Sequence, residues 1–324
     1  EIIPKIPMLI SRIKLTANSI ISQNPDVLIT IDSPDFCMRV AKKVRNALPN
    51  LKIIHYVAPS VWAWRPERAA KMSKYVDHVL ALLPFEPPYM EAEGMTCDFV
   101  GHPAVSSPHV SKKAQEKFKK KYNLHNGPII TVLPGSRIGE IKRMCPIFNK
   151  VLNNIEKLYP DSQFILPVAS SVEKDVVNAV KSWNIKPLLL LNEGKDLKEL
   201  EHDKFITYSI SSAALATSGT VSLELAAKKC PMIVAYKANW ITTKMVKKLA
   251  KIDTANLINI ITDTKVIPEH LFENCTVENI TESLRSLLNN DNNQIKAMEE
   301  TMNRLGADRK DIHLLAANSV LNNI

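Results

Sequence analysis

Short apolar runs alternate with longer amphipathic stretches along most of this chain. Asp26 to Ile31 is an apolar run directly after Pro25 and predicts a buried strand, with a helix from Phe36 to Ala47 after it. Leu51–Val57, Val76–Leu83 and Thr96–Val100 predict further strands, with helices at Pro66–Tyr75 and Glu86–Glu93. Residues 104–112 have linker composition. A second series follows, with strands at Pro128–Leu133, Gln163–Val168, Pro187–Leu191, Ala213–Thr217 and Pro231–Tyr236. Its clearest helix is Gly139–Leu158, and the chain from about Val277 reads as helical and polar. Alternation with short connections implies parallel strands and right-handed crossovers. The expected fold is α/β, with two Rossmann-like doubly wound domains at 1–104 and 105–324. Ligands of such sheets bind beyond the carboxyl ends of the strands, so the expected site is the cleft between two facing domains.

Composition narrows this picture only a little. The 324 residues are 45% hydrophobic, enough for two cores, and 23% charged, which argues against wholesale disorder. No apolar run reaches the roughly 20 residues that span a bilayer. The net charge of +9 suits nucleic acid, an anionic membrane or a phosphorylated substrate. Lysines spread over many helices, rather than gathered with aromatics on one face, argue against nucleic acid. Five cysteines without CxxC spacing read as reduced structural thiols.

Glycine is scarce, at 8 of 324 residues, so its placement is informative. Gly135 and Gly219 each fall between a predicted strand and a predicted helix. In Leu133-Pro134-Gly135-Ser136-Arg137 the glycine permits a sharp turn, the next helix offers free N–H groups, and Arg137 adds a fork of donors suited to a phosphate. The other reading is an ordinary turn with a surface arginine. In Ser218-Gly219-Thr220, both hydroxyls can cap a helix and face a phosphate. Glu224, one turn on, can accept hydrogen bonds from a ribose diol or complete a capping box with Thr220. No Asp-x-Asp occurs to clamp a divalent metal, so the cationic role falls to Arg137 and helix dipoles.

Asp32 follows the first strand and is a candidate general base, or a turn residue. Asp35 is expected to cap the helix after it. The segment His55 to Arg65 holds Trp62 and Trp64 beside Arg65, with Arg68 close by. Exposed aromatics beside arginines suit an amphiphile with a phosphate head, or else the loop packs on the sheet. His102 is grouped with these residues, its alternative being structural. Trp240 to Ile252 has apolar residues at helical spacing beside four lysines and can rest on anionic lipid. Ile2 to Ile10 is a second apolar candidate.

Taken in order, the blocks Ile31 to Phe36, His55 to Arg65, Leu83-Pro84-Phe85-Glu86, Val100 to Pro103, Leu133 to Arg137, Ser218-Gly219-Thr220 with Leu223-Glu224, and Pro231 to Tyr236 resemble the lipid-A-disaccharide synthase family. The resemblance implies a GT-B fold and metal-independent, inverting transfer of a diacylglucosaminyl group from UDP to 2,3-diacylglucosamine 1-phosphate, making a β-1,6 disaccharide. It implies no cofactor, Asp32 as base for the acceptor hydroxyl, and Gly135, Ser136, Arg137, Ser218, Gly219, Thr220 and Glu224 around UDP. It adds Asn259 near the donor, although Ile258 stands where the family often has proline. A cytoplasmic protein peripheral on the inner membrane, pairing through its C-terminal part, is also implied. The family's opening Gly-rich loop, resembling Gly-Glu-Ala-Ser-Gly-Asp, does not occur here. The expectation is therefore a truncated first domain, short by about 60 residues, and impaired turnover. Another UDP-hexosamine enzyme, such as an epimerase, and a fragment that only binds UDP stay open as alternatives.

Overall fold

The computed structural model describes residues 6–194, 196–239, 243–244, 253–289, 293–309 and 311–324. The chain divides into two compact units. The first holds a parallel sheet of β1 (Val27–Ile31), β2 (Lys52–Tyr56), β3 (His78–Ala81) and β4 (Thr96–Phe99), in that order. Connected strands are neighbours throughout, so this sheet shows no reversal of winding among the described residues. α2 (Pro34–Ala47), α3 (Glu67–Met72) and α4 (Pro87–Glu91) are its crossovers. Ile53, Val79, Ala41, Met72 and Met90 form its core. β1 is the edge, with Ile29 and Ile31 at 43% and 64% exposure.

Of the apolar stretch Ile2 to Ile10, the part before Ile6 lies outside the described residues, and the rest opens an 18-residue helix, α1 (Ile6–Gln23), which packs Ile13 and Ala17 on Val40 and Val44 of α2. Ile6, Met8, Ile10 and Leu15 of α1 stay exposed. The basic stretch Trp240–Ile252 falls largely outside the described residues.

The last helix, Ile312–Leu321, belongs with the first unit, although sequence order leaves it in the second. Leu315, Ala316 and Val320 pack on Ile54, Leu80 and Val100. A polar clasp adds to them. Ser319 Oγ donates to Asp98 Oδ2 at 2.5 Å and lies 2.8 Å from His78 Nε2. Its single proton is thereby used, so Nε2 donates to Ser319, while Nδ1 lies 2.7 Å from Thr96 Oγ1, which itself donates to Asp77 O at 3.2 Å. Burial lowers the His78 pKa. Gly101, at φ 81°, lets Ile312 close in, since a Cβ there would lie 2.1 Å from Ile312 Cδ1.

The second unit carries a six-stranded parallel sheet ordered β10-β9-β8-β5-β6-β7, from β5 (Ile129–Leu133), β6 (Gln163–Pro167), β7 (Leu188–Leu190), β8 (Ala213–Thr217), β9 (Met232–Tyr236) and β10 (Glu269–Leu271). This one is doubly wound. From β5 the chain proceeds outward to β7, then returns beside β5 as β8 and proceeds the other way. β5 and β8 are buried at every residue, as central parallel strands covered on both faces must be. α5 (Lys112–Lys121) precedes β5, α6 (Ile138–Leu158) turns Ile141, Met144, Phe148, Leu152 and Ile155 onto the sheet, and α7 (Glu173–Val180) lies between β6 and β7. α8 (Leu197–Ile210) and α9 (Val221–Ala227) flank β8. The five cysteines are free and buried.

Candidate functional site

Where winding reverses, the connections after β5 and β8 leave in opposite directions and open a crevice at the strands' carboxyl ends. A cavity of about 750 Å³ lies there, entirely within the second unit. Its size suits a small organic ligand. Gly135, Ser136, Arg137, Ser218, Gly219, Thr220 and Glu224 all line it. The two glycine loops thus converge because they follow the two strands beside the reversal.

The first loop is not the open anion cradle that its sequence suggests. The carboxylate of Glu140, 8% exposed, accepts from Ser136 N at 3.0 Å and from Arg137 N at 3.3 Å. The chain's own acid, at N3 of α6, thus reaches back to the N–H of the N-cap, Arg137, and to the residue before it; this is the acid half of a capping box, since a guanidinium has no acceptor for the other half. Gly135, at φ 117°, is needed for this contact, because a Cβ would stand 2.5 Å from Glu140 Cβ. Arg137 reaches Glu140 only at 3.5 Å and its side chain is 79% exposed, so the guanidinium is the part of this loop available to a ligand.

The second loop is open. A Cβ on Gly219 would meet nothing within 4 Å. Thr220 is the N-cap of α9 but makes no side-chain cap bond, and Glu224 does not complete a capping box with it. Instead Glu224 Oε2 sits 3.0 Å from Lys204 Nζ. Thr217 Oγ1, on the cavity wall, is buried without a hydrogen-bond partner among the described residues.

α8 supplies the wall that sequence reasoning missed. Leu197, Leu200, Glu201, Lys204 and Tyr208 share one helical face and line the cavity. The signal was their three-to-four residue spacing, hidden because the face mixes leucine, acid, base and tyrosine rather than forming an apolar stripe. Three carboxylates (Glu140, Glu201, Glu224) and two cations (Arg137, Lys204) therefore meet here. Pairing decides the field. Backbone N–H groups occupy Glu140, and Lys204 pairs with Glu224, so Arg137 is the less engaged of the two cations.

Asn259 is not part of this cavity. It is 2% exposed, donates to Ile267 O at 2.9 Å and Glu269 Oε2 at 3.1 Å, and accepts from Ile267 N at 3.0 Å. That set ties the helix Leu257–Thr262 to β10 and leaves the amide committed to the fold.

In the first unit, Asp32 stands exposed just past β1, its N–H donating to Tyr56 O at 2.9 Å. Asp32 and Ser33 both hold left-handed backbone, at φ 50° and 43°, a strained pair held at a strand end. Ser33, not Asp35, is the N-cap of α2, and Asp35 instead pairs with Arg68 at 3.3 Å. Burial depresses the neighbouring His55 to about 4, with Asp32 acting in the opposite sense.

The tryptophans are half-buried rather than exposed. Trp62 Nε1 donates to Glu86 Oε1 at 3.2 Å and its ring meets Phe85 edge-on at 5.1 Å. Trp64 is covered by Arg65 at 4.3 Å and Arg68 at 5.1 Å. Burial lowers His102 to about 4, so it is neutral near pH 7 and brings no charge to a phosphate. Arg68 lines a second cavity of about 260 Å³, with Arg39, Lys42 and Lys71 around Met38 and Met72.

The family model for lipid-A-disaccharide synthetase matches residues 1–321. A lipid-A-disaccharide synthase of Ruegeria pomeroyi is 44% identical over 324 residues, which span 100% of this chain and 80% of that protein. One from Rhodospirillum centenum is 38% identical over 326 residues, 99% of this chain and 79% of that protein. Among solved structures, a UDP-GlcNAc 2-epimerase from Neisseria meningitidis, bound to UDP-GlcNAc, aligns with a TM-score of 0.63 at 13% identity, over 96% of this chain and 80% of that one. This last likeness concerns the fold, two parallel α/β sheets of the GT-B class. The sequence relationship reaches further, and by it this chain belongs to the lipid-A-disaccharide synthase family of glycosyltransferases.

Proposed function

We propose that this chain transfers a 2,3-diacylglucosaminyl group from its UDP derivative to 2,3-diacylglucosamine 1-phosphate, with the nucleotide held in the cavity between the β5 and β8 loops. The observation that carries this placement is the convergence of Arg137, Gly219 and Glu224 on one cavity at the winding reversal. The acceptor 6-hydroxyl attacks the anomeric carbon, the bond to the β-phosphate oxygen breaks, and UDP leaves with the electron pair. Asp32 takes the hydroxyl proton, a role supported by its exposed carboxylate at a strand's carboxyl end. Arg137 meets charge developing on the diphosphate, in place of a metal ion. The basic cavity around Met38 and Met72 in the first unit fits an amphiphile bearing a phosphate.

Both substrates are lipids, so the chain works at a membrane surface in this reading. Among the described residues no helix is long and apolar enough to cross a bilayer. Exposed Ile6, Met8, Ile10 and Leu15 on α1 offer apolar contact, and binding to anionic vesicles should weaken with salt. Mass-spectrometric detection of the disaccharide tests the reaction. Product from the unaltered chain, lost in Asp32→Ala and unchanged by a chelator, is the expected result. Product formed equally by Asp32→Ala would remove Asp32 as base.

A further inference from the structure

Two helices of the first unit carry a similar pattern and turn it toward one cavity. On α2, Asp35, Met38, Arg39 and Lys42 fall at spacings that share one helical face. On α3 and the turn after it, Arg68, Lys71, Met72 and Tyr75 do the same. The cavity of about 260 Å³ between them has a floor of buried Met72 and Pro59, while Arg39, Lys42 and Lys71 are exposed. Four cations meet one acid there. Asp35 takes Arg68 at 3.3 Å, and Arg68 also lies 5.1 Å from the Trp64 ring centre. Arg39, Lys42 and Lys71 form no ion pair among the described residues. A face that is merely solvated gains nothing from this, because Arg39 and Lys42 stand one turn apart and repel, as do Arg68 and Lys71. Farther along α2 a cation is tied down instead, Arg45 donating to Asp77 at 2.6 Å and to the carbonyls of Pro49 and Leu51.

We propose that this cavity holds the phosphate monoester head of an amphiphile and selects it over a phosphodiester. This rests on the acceptor of the reaction proposed above, whose 1-phosphate is such a head. Charge makes the selection. A monoester carries about −1.5 to −2 near neutral pH, with a second pKa of about 6, whereas a diester carries a single charge. The three unpaired cations around one concavity attract that second charge. The bulk phospholipids of a bilayer are diesters, so a site with this preference takes a monoester from a surface on which it is scarce. The floor of Met72 and Pro59 takes the apolar part of the ligand beside the head. Pro34 and Asp35, which line the cavity, follow Asp32 by two and three residues, so a sugar whose phosphate is held here lies beside the proposed base.

Calorimetric titration with octyl phosphate and with methyl octyl phosphate, both below their micelle concentrations, isolates that one charge. At pH 8 and low salt the unaltered chain should bind the monoester at least about tenfold more tightly. At pH 5, where the monoester has lost its second charge, the two should bind within about threefold of each other. The diester keeps one charge at both pH values, so it reports any change in the protein itself. Inorganic phosphate, which lacks the chain, should bind at least about tenfold more weakly than octyl phosphate. Lys42→Gln combined with Lys71→Gln should bring the preference at pH 8 below about threefold. Both side chains are exposed, and Arg39→Gln, at a third exposed position, should lower the preference too if the double variant fails to fold. A preference that is absent from the unaltered chain, survives at pH 5, or persists in full in these variants overturns the proposal. Inorganic phosphate binding as tightly as octyl phosphate overturns it as well, leaving a site for the free ion. Disaccharide formed by a chain without the preference would leave the reaction standing and remove this site, whereas a preference without product would do the reverse.

Discussion

Replacing Glu86 by glutamine tests how a buried acid behind the tryptophan loop is held. Glu86 is 3% exposed and accepts from Trp62 Nε1 at 3.2 Å and Leu83 N at 3.0 Å. Burial outweighs those bonds and raises its pKa from 4.5 to about 7. The folded chain therefore holds this proton more tightly than the unfolded chain. For this group, stability is full below pH 4.5, falls as pH rises from 4.5 to about 7, and is level above. At 1.36 kcal/mol per tenfold change in proton affinity, the total fall is about 3 kcal/mol. Glutamine does not titrate, but its NH2 faces a donor and costs about 1–2 kcal/mol at all pH. Urea denaturation of both proteins at pH 5 and pH 8 reads the difference. Glu86→Gln should be the less stable at pH 5 and the more stable at pH 8, the difference changing by about 2–3 kcal/mol and reversing sign. A gap constant to within about 0.5 kcal/mol would refute the argument, because it would mean that Glu86 is ionised in the fold throughout.

Arg137→Ala should weaken UDP binding by about 10- to 100-fold, the loss of one charge-assisted bond of about 1.5–3 kcal/mol; unchanged affinity by calorimetry would remove Arg137 from the site. Gly135→Ala should cost about 1–3 kcal/mol of stability, since its backbone sits at φ 117° and the new methyl meets Glu140; a loss under about 0.5 kcal/mol in urea titration would show that α6 yields freely. Asn259→Ala should cost about 1–3 kcal/mol by leaving Ile267 N and O unpaired, yet change UDP affinity in the folded variant less than about threefold. A larger affinity loss would make Asn259 a ligand contact after all.

The parallel strands were legible because burial on both faces writes itself as runs such as Ile129–Leu133. β10 was not, being three half-buried residues, Glu-His-Leu, with no apolar run to mark it. The glycine loops showed where a ligand site should open, since a strand–glycine–helix junction needs no tertiary information. What fills such a junction does need it. Glu140 lay three residues beyond Arg137 in plain view, but a phosphate and a chain carboxylate ask the same of the N–H groups, and only the fold shows which is there. Lys204 escaped notice because its ion pair with Glu224 exists only across two helices. The place of Ile312–Leu321 escaped for a similar reason: Ser319 is more than 200 positions from His78 and from Asp98, which it meets in the fold.

That last helix has a consequence for how the protein is made. The strands of the first unit leave the ribosome early, yet the unit is completed only by residues 305–324. Until those residues emerge, Ile54, Leu80 and Val100 lack their cover, and His78 and Asp98 lack Ser319. The second unit, uninterrupted from Ala104 to Lys248 and finished at Arg304, has all of its chain first. The part begun first is thus closed last, and for most of synthesis its apolar face is a surface for chaperones or for misassembly.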